Sequence, residues 1–358
     1  MRLILIFAFA FISLTSFCVN IPVINTNDSG TGSLREAINS ANASPGSDTI
    51  TFNIPTSDVG YISTTGIWEI SISSLLPYIL AGQIFIDGSS QQGYSGSPLI
   101  SITTSFPSSV FWALGIFSGG NRIKGLLISG FDSGIVLSEP TAINNVIENC
   151  YFGTNASGTA ADPNNNGVVL NNQASENIIA NCLISGNSNG VVSNNAAGNS
   201  IINCRIGTDT GATAALPNTN GIVLNVNSDN HTIYGNIISG NSMNGILIKQ
   251  SDSNTITGNR IGCDVSGVNA VPNENGILID SSSYNHIGGI LVAERNLISG
   301  NLQSGVVISG RSSTANIIEG NYIGTDANGL NKLSNLYGIT IAKAHGNIIG
   351  KNNLISGN

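Results

Sequence analysis

A short unit repeats along most of this 358-residue chain, and the repeat limits the folds open to it. Each copy reads as a glycine with three apolar residues, a turn, an apolar pair led by Asn, a second Asn or Cys, and another apolar strand. The first strands of eight copies begin at Gly134, Gly167, Gly190, Gly221, Gly245, Gly276, Gly305 and Gly338. Three short strands per unit, joined by tight turns with almost no helix, are typical of a parallel β-solenoid.

The repeats come in two lengths that alternate. In a solenoid each unit makes one triangular rung, and rungs stack roughly 4.8 Å apart, like neighbouring strands of a sheet. Rungs that end in the letters ISGN turn back at once, whereas those that end in IGT or IGC carry an extra loop, as in residues 154–167. The long loops are therefore expected to stack along one corner of the coil, where solenoids build binding surfaces.

The segment before the repeats begins with an export signal. Residues 1–18 combine one early positive charge, an apolar run from Leu3 to Ile12, and small residues near Cys18, which predicts a secretory signal peptide. No later stretch approaches the roughly 20 apolar residues that cross a bilayer. We therefore expect a secreted or cell-surface protein without a membrane span in the mature chain.

A short helix is predicted over residues 33–43. Ser33 followed by Glu36 is a capping box, and the apolar residues Leu34 to Ala41 fall on one face. The chain then divides into a signal peptide (1–18), an N-terminal cap (19–48), irregular first rungs (49–133) and eight regular rungs (134–358). The stop at Asn358, inside a rung, favours a coil truncated at its C-terminus.

One polar column runs through the repeats just before the third strand. Aligned on that strand, the column reads Cys150, Cys182, Cys204, Asn236, Asn259, Asn296, Asn321 and Asn353. An asparagine amide both donates and accepts, so stacked copies bond to one another inside a core, and we predict a structural ladder. The three cysteines stack at a spacing that a disulfide tolerates, but only two of them are able to pair.

A second column, of Asn and Asp, follows the third strand and allows two interpretations. Such residues bond to their own backbone at tight corners, which makes the column turn chemistry. The other interpretation is catalytic, with Asp209 and Asp264 as the candidate pair. Two rungs separate them by about 9.6 Å, which is too far to share one calcium ion and lies at the upper limit for an inverting glycosidase.

The third strand also predicts a row of outward side chains, because residues alternate between the two faces of a strand. The row reads Tyr151, Leu183, Arg205, Ile237, Arg260, Leu297, Tyr322 and Leu354. Tyrosine stacks on sugar rings and arginine pairs with uronate carboxylates. Tyr151, Arg205, Arg260 and Tyr322 are therefore candidate carbohydrate-binding residues, and a plain solvated face is the other interpretation.

The first strand predicts a second outward row, which is apolar. It reads Val136, Val169, Val192, Val223, Leu247, Leu278, Val307 and Thr340. Such a stripe suits a covering segment or a partner.

Charge and ligand content narrow the function classes. Only 9% of residues are charged and the net charge is −8, which disfavours nucleic acid as a partner. Cys263 lies outside the cysteine column, and His231, His286 and His345 do not align with it or with each other. No metal site or cofactor is therefore predicted, with calcium the one ion left open. The oligomeric state does not follow from the sequence.

Several longer motifs carry a family resemblance. The stretches TNDSGTGSLREAI, IFIDGSSQQGYSGSPLI and the RNLISGN repeats resemble the extracellular parallel β-helix repeat proteins that open with a CSLREA-type motif, in the pectin-lyase-like superfamily. Gly32 stands where the motif name has Cys. The resemblance implies a right-handed coil whose N-terminal helix caps the open end. It implies less about function, because a fold does not fix an activity.

The enzymes of that superfamily supply a test of function. Polygalacturonase-like sites need clustered aspartates and a late Arg-x-Lys, but here Arg122 and Lys124 precede the repeats and no two aspartates are adjacent. We therefore predict a secreted, non-catalytic β-helix that presents an extended surface to polysaccharide or another cell-surface component. The alternative is a polysaccharide hydrolase or lyase with an unrecognised carboxylate site, for which Asp209 and Asp264 are the candidates.

Overall fold

Three long sheets wrap around one solenoid. The computed structural model describes residues 18–44, 46–104, 106 and 111–358, so the predicted signal peptide, apart from Cys18, lies outside the described residues. Neighbouring strands in all three sheets are parallel, except for the hairpin of Tyr61–Ile62 with Ile67–Ile72. This confirms the predicted all-β parallel β-helix with three strands per rung.

In the regular rungs each sheet takes one strand from each rung, whereas the described first rungs contribute no strand to sheet C. The strands of sheet A are Asn20–Val23, Thr49–Phe52, Phe85–Asp87, Arg122–Lys124, Val146–Glu148, Ile178–Ala180, Ser200–Ile202, Thr232–Tyr234, Thr255–Thr257, His286–Gly288, Ile317–Glu319 and Ile348–Ile349. Those of sheet B are Tyr61–Ile62, Ile67–Ile72, Ile100–Thr104, Leu126–Ile128, Tyr151–Phe152, Leu183–Ile184, Arg205–Ile206, Ile237–Ile238, Arg260–Ile261, Leu297–Ile298, Tyr322–Ile323 and Leu354–Ile355. Those of sheet C are Trp112–Ile116, Ser133–Ser138, Asn166–Asn171, Asn189–Asn194, Asn220–Asn225, Asn244–Lys249, Asn275–Asp280, Ser304–Ser309 and Tyr337–Ala342.

The core consists of columns of aliphatic side chains that stack from rung to rung. In sheet A, Ile201, Ile233 and Ile256 are register partners, and each is fully buried. Burying one such side chain contributes about 1.5–3 kcal/mol. Strands of two to six residues are too short to be stable alone. The stacking of identical apolar residues therefore holds each rung to the next.

The one α-helix among the described residues runs over Leu34–Ala43 and covers the first rung. Its buried residues are Leu34, Ala37, Ile38 and Ala41, as the sequence predicts. The Ser33 hydroxyl accepts the Glu36 N–H at 3.2 Å, and Glu36 reaches back to the Gly32 N–H at 2.6 Å. The reciprocal cap therefore extends one residue further out than a standard capping box.

Three ladders of buried amides follow the three corners of the coil. The predicted ladder, between sheets A and B, joins the side chains of Asn236, Asn259, Asn296, Asn321 and Asn353 at 2.9–3.2 Å. A second, between sheets B and C, runs through Asn164, Asn187, Asn218, Asn241, Asn273, Asn301, Asn335 and Asn358. A third, between sheets C and A, runs through Asn121, Asn145, Asn177, Asn199, His231, Asn254, Asn285, Asn316 and Asn347. Sequence reasoning found only the first.

The second ladder changes the interpretation of the Asn/Asp column. The members of that column on the short rungs, such as Asn187 and Asn241, are residues of the second ladder. Their side chains bond to Asn218, which follows a long loop. The members on the long rungs, such as Asp209 and Asp264, accept hydrogen bonds from their own loops. Turn chemistry therefore accounts for one half of that column and ladder chemistry for the other half.

The three stacked cysteines hold the positions of ladder asparagines without forming disulfides. All five cysteines are free thiols. The Sγ of Cys150, Cys182 and Cys204 each lies 3.3–3.4 Å from the carbonyl oxygen two residues before it. Burial raises the pKa of the Cys182 thiol well above its ordinary value. These thiols fill the core and donate to the backbone, and no disulfide joins them.

We expect loss of one ladder amide to destabilise the coil. Asn285 is fully buried and links Asn254 to Asn316. Asn285→Ala leaves buried partners without hydrogen bonds, at a cost of about 3 kcal/mol. Asn189→Ala is the matched control, because Asn189 belongs to a half-exposed row on sheet C. Guanidinium denaturation followed by circular dichroism should give a lower midpoint for Asn285→Ala alone, and equal midpoints would contradict the ladder's role.

We also expect His231 to make the coil sensitive to mild acid. Its Nδ1 lies 3.2 Å from the Asn199 nitrogen, and its Nε2 lies 2.8 Å from the Ala196 oxygen. Burial lowers the pKa of His231, although the carbonyls of Asn199 and Ala196 and the charge of Asp229 oppose that shift. The unfolded chain therefore binds the proton first, and stability falls as pH drops from about 6.5 through the folded pKa.

The variant His231→Asn restores an amide to the ladder and isolates this effect. Denaturation midpoints of both proteins, measured over a series of pH values above the range in which carboxylates titrate, should diverge as pH falls. The native protein should lose stability and the variant should not. A difference between the two midpoints that stays constant with pH would refute the assignment.

Candidate functional site

The predicted outer row of sheet B lies on one line of register partners. Tyr151 pairs with Leu183, and the line continues through Arg205, Ile237, Arg260, Leu297, Tyr322 and Leu354. The residue after each of the first seven is fully buried, as Phe152 and Ile206 are. The first residue of each strand therefore points outward.

The long loops divide this row into covered and open positions. Each loop is a hairpin closed by one bridge, and the four hairpins span residues 154–161, 208–215, 263–270 and 325–332. The loops fold over the apolar members of the row, so Leu183, Ile237 and Leu297 are buried, whereas Arg205 is exposed. The tyrosines and arginines therefore reach solvent beside the loops and not as one continuous strip.

Glycine makes that close cover possible. Gly158 has φ +65° and Gly267 has φ +71°, which favour a residue without a side chain. A β-carbon at Gly158 would lie 2.6 Å from Leu183 Cδ2, and one at Gly267 would lie 2.8 Å from Leu297 Cδ2. The loops also bond to one another, since the Thr210 N–H donates to the Gly158 carbonyl at 3.1 Å. The four hairpins thus form one connected ridge.

The two aspartates of the catalytic alternative each hold their own loop. Asp209 Oδ1 accepts the N–H groups of Thr213 and Ala214, at 2.8 and 3.1 Å. Asp264 accepts from its loop in the same way, and from the side chain of Asn269 at 2.8 Å. Burial favours a higher pKa at Asp264, but these hydrogen bonds lower its pKa to about 2. The contacts of both carboxylates are those of loop caps.

The arginines of the row have free guanidinium groups. Within the part of the chain that the structure describes, ion pairs join Arg35 to Asp28, Arg122 to Glu148, and His286 to Glu319. Arg205 and Arg260 take part in none of these and make no side-chain hydrogen bond to a described residue. A guanidinium carries five donors in a planar fork that matches a carboxylate. Both side chains are therefore free to bind an anion.

A cleft of about 240 Å³ opens at the Tyr322 end of the row. Arg260, Tyr322 and a further arginine, Arg295, line it. The Arg295 guanidinium carbon lies 4.0 Å from the centroid of the Tyr322 ring. Sequence reasoning missed Arg295, although one signal was present. The corner before Asn296 is several residues longer than the equivalent corner at Gly258, and Arg295 lies in the extra segment.

A second cleft, of about 360 Å³, opens at the Tyr151 end. Its lining is neutral and rich in hydroxyl groups, with Thr64, Thr65, Ser97 and Ser157. The Tyr151 hydroxyl lies 3.3 Å from Ser97 Oγ at its edge. The row therefore runs between a hydroxyl-lined cleft and an arginine-lined cleft.

The apolar row of sheet C is also present and lies on another face. Val136, Val169, Val192 and Val223 form a cluster of their own with Trp112 and Leu247 at its margins. At its N-terminal end the rings of Tyr78 and Phe117 pack 4.8 Å apart. Its outward residues from Trp112 to Asn225 are all uncharged. The N-terminal half of this face therefore offers apolar and amide groups but no charge, and Lys249 and Asp280 lie further along the sheet.

The described residues do not assemble a metal site. No group of three or more His, Cys, Asp or Glu side chains among them is able to hold an ion. The ring nitrogens of His231 contact backbone atoms and the Ser193 hydroxyl, and His286 pairs with Glu319 at 3.1 Å. Burial raises the pKa of Cys263 to about 12, so its thiol resists forming the thiolate that metals bind. No described helix is long and apolar enough to span a membrane.

Comparison with solved structures shows the same fold at low identity. The enzymatically active domain of tailspike protein 2 from bacteriophage CBA120 matches with 14% identity and a TM-score of 0.55, over 89% of this chain and 46% of the tailspike domain. A double mutant of the periplasmic alginate epimerase AlgG matches with 14% identity and a TM-score of 0.51, over 84% of this chain and 77% of the epimerase. These matches support the parallel β-helix fold. No curated protein matches the chain.

A family model matches most of the chain. The family is described as periplasmic copper-binding protein (NosD), and its model matches residues 79–261 and 212–358. The periplasmic family confirms the predicted location outside the cytoplasm. The donors present do not fit a copper site, because the described thiols, imidazoles and carboxylates form no cluster of three. On the length of these matches, the chain belongs to the NosD family of periplasmic β-helix proteins.

Proposed function

We propose that the protein binds an acidic polysaccharide outside the cytoplasm, along the outer row of sheet B, and that it does so without catalysis. One observation carries the proposal. Arg205 and Arg260 stand in register on one face with Tyr151 and Tyr322, and neither guanidinium has an anionic partner among the described residues. Planar guanidinium groups pair with carboxylates, and tyrosine rings stack on sugars.

The distribution of charge supports an acidic ligand. The chain carries a net charge of −8 and only 12 basic residues, yet Arg205, Arg260 and Arg295 are on one face. The nearest acidic side chains along the chain are Asp209, Asp264 and Glu294, and each accepts hydrogen bonds from its own loop or turn. The arginines therefore present positive charge that no neighbouring carboxylate neutralises in a hydrogen-bonded pair.

The length of the outer row of sheet B favours a polymeric ligand over a small one. Six register steps separate Tyr151 from Tyr322, which is about 29 Å at the rung spacing. The long loops interrupt the row, so a bound chain would contact the open positions in turn. The clefts at the two ends differ in character, since hydroxyl groups line one and arginines line the other. Such a surface would bind a polymer whose anionic groups repeat along its length.

The structural relatives support the choice of ligand class. One is named an alginate epimerase, and alginate is a polymer of uronic acids. Another is named an enzymatically active tailspike domain. Both names describe catalysts, whereas the carboxylates that sequence reasoning selected here act as loop caps. The similarity to these proteins therefore supports polysaccharide binding by this chain more strongly than it supports catalysis.

We expect polyuronates to bind through the arginines. Arg205→Gln and Arg260→Gln should each weaken binding of alginate or polygalacturonate about tenfold, because each removes a charge-assisted hydrogen bond. Arg311→Gln is the matched control, since Arg311 is exposed and lies in a turn away from sheet B. Isothermal titration at low salt, with a neutral glucan as the second ligand, measures the difference. Equal binding of neutral and acidic polymers, or equal loss in all three variants, would refute the proposal.

We expect no chemical change in the bound polymer. After incubation with alginate or polygalacturonate, with and without calcium, mass spectrometry should find no released oligosaccharides and NMR should find the uronate stereochemistry unchanged. Shortened chains or new epimers would establish the catalytic alternative. In that case Asp209→Asn and Asp264→Asn become the next measurements, with Asp326→Asn, the equivalent cap of the fourth loop, as the control.

A further inference from the structure

Bulky aliphatic side chains project into solvent around the Tyr322 end of sheet B. Ile290, Leu291 and Val292 are consecutive and are 70%, 61% and 76% exposed, and Leu330 is 84% exposed. Val268, on the neighbouring loop, is also exposed. We refer to these five residues as the tip surface. A single exposed aliphatic side chain is ordinary, but three in succession beside two more on adjacent loops form an apolar patch. Patches of this kind mark interaction sites.

The first part of the tip surface comes from an insertion. In the five regular rungs before it, the corner between sheets A and B has two residues, as at Gly258 and Asn259, whereas here the chain runs from Gly289 to Arg295 before the ladder residue Asn296. A short 3-10 turn over Val292–Glu294 shapes the insertion. Its one acidic side chain, Glu294, folds back to accept the Leu291 N–H at 3.0 Å. The insertion thus presents aliphatic groups outward and keeps its carboxylate occupied.

The second part comes from the long loops, and their equivalent positions change character along the coil. The residue four places after the capping Asn or Asp is Thr159 in the first loop and Thr213 in the second. It is Val268 in the third loop and Leu330 in the fourth. All four loops have the same cap, so the backbone does not require an apolar residue there. An apolar residue occupies this position only in the two loops beside the insertion.

The insertion and the loops enclose the same pair of arginines. Val292 and Ala293 line the cleft together with Arg260, Arg295 and Ala327 of the fourth loop. A β-carbon at Gly267 of the third loop would lie 2.9 Å from the Ala327 β-carbon and 3.6 Å from Arg260 Nε. The tip surface and the two guanidinium groups are therefore parts of one continuous region.

We propose that the tip surface inserts into the headgroup region of an anionic lipid bilayer, while Arg260 and Arg295 contact the anionic headgroups. Charge complementarity selects this partner. The acids of the region are engaged within their own loops or turn, whereas neither arginine has an ionic partner among the described residues. Aliphatic side chains flanked by arginine are the composition that binds at a membrane interface.

The form of the surface favours lipid over a flat protein partner. The aliphatic groups stand on separate turns around a cleft, so a rigid flat surface would touch only their ends. A fluid interface closes around such projections and buries each side chain. Tyr322, beneath the Arg295 guanidinium, adds an amphipathic ring of the kind that sits at headgroup level.

The proposal does not depend on polysaccharide binding, although Arg260 serves both. Leu291 and Leu330 belong to the tip surface and not to the outer row, whereas Arg205 belongs to the outer row and lies two rungs before Arg260. Variants at these positions therefore separate the two activities. Failure of one proposal leaves the other intact.

Vesicle co-sedimentation of the full mature chain tests the inference. Vesicles of phosphatidylcholine mixed with phosphatidylglycerol should retain the protein, and vesicles of pure phosphatidylcholine should retain much less. Leu291→Ser combined with Leu330→Ser should weaken retention at least tenfold, by about the transfer free energy of the two side chains. Arg295→Gln should weaken it about fivefold and reduce its salt dependence.

Matched controls fix the interpretation. Leu80→Ser removes a leucine that is 60% exposed among the N-terminal rungs, and it should leave retention unchanged. Arg205→Gln should weaken polyuronate binding but not vesicle binding, and the double leucine variant should do the reverse. Near-native circular dichroism of each variant checks that the coil is folded.

Several outcomes would overturn the inference. These are no retention on anionic vesicles, equal retention on neutral vesicles, or retention that the double leucine variant does not change. Sedimentation that shows a concentration-dependent dimer in the native protein, abolished in the double leucine variant, would assign the tip surface to a second copy of the chain.

Discussion

The buried asparagine amide is the interaction on which this coil depends. An asparagine inside a ladder accepts from the asparagine of the rung before it and donates to the asparagine of the rung after it, as Asn285 does between Asn254 and Asn316, so its buried amide is paired on both sides. Three such ladders follow the three corners, where the chain leaves one sheet for the next. They fix the rung spacing at the places where short strands have the fewest backbone bonds.

A repeated ladder leaves the outside of the coil free to vary. Because the aliphatic columns and amides hold successive rungs together, a rung tolerates an extra loop at one corner or an insertion at another. The long loops in turn cover apolar members of sheet B, such as Leu183, and bond to one another. The arginines and tyrosines emerge beside this ridge. The exposed tip surface at Ile290–Val292 arises from the same tolerance at another corner.

Substitution within a ladder follows the chemistry of the amide. His231 takes an asparagine position because its Nδ1 lies where the amide oxygen would accept the Asn199 N–H. The cysteines fit the same column because a thiol is small and apolar and donates weakly to a carbonyl. Neither substitution creates a metal site, since the neighbours above and below are engaged with the backbone. The copper named in the family description thus has no set of ligands among the described residues.

Much of the fold could be predicted from the sequence because the repeat determines both the order of the strands and which side chains point outward. The helix at Leu34–Ala43 was recognisable from its cap and its apolar face, and the outer row of sheet B from the alternation of each strand. The amide column before the third strand was recognisable because its members recur at one aligned position. The second ladder was not, since Asn164 and Asn187 come from rungs of different lengths and share no simple spacing. The third ladder was missed although its asparagines, such as Asn177 and Asn316, recur at one aligned position, where each leads an apolar pair.

The sequence by itself therefore determined the coil, its capping helix and the outward position of Tyr151, Arg205, Arg260 and Tyr322. Only the tertiary structure decided which of these are open, because the path of a long loop depends on its packing against the next rung. It also brought Arg295 over Tyr322, a contact between an insertion and a strand that no repeat pattern encodes. Periodic contacts can be read from a periodic sequence, whereas contacts made by its irregular segments require the fold.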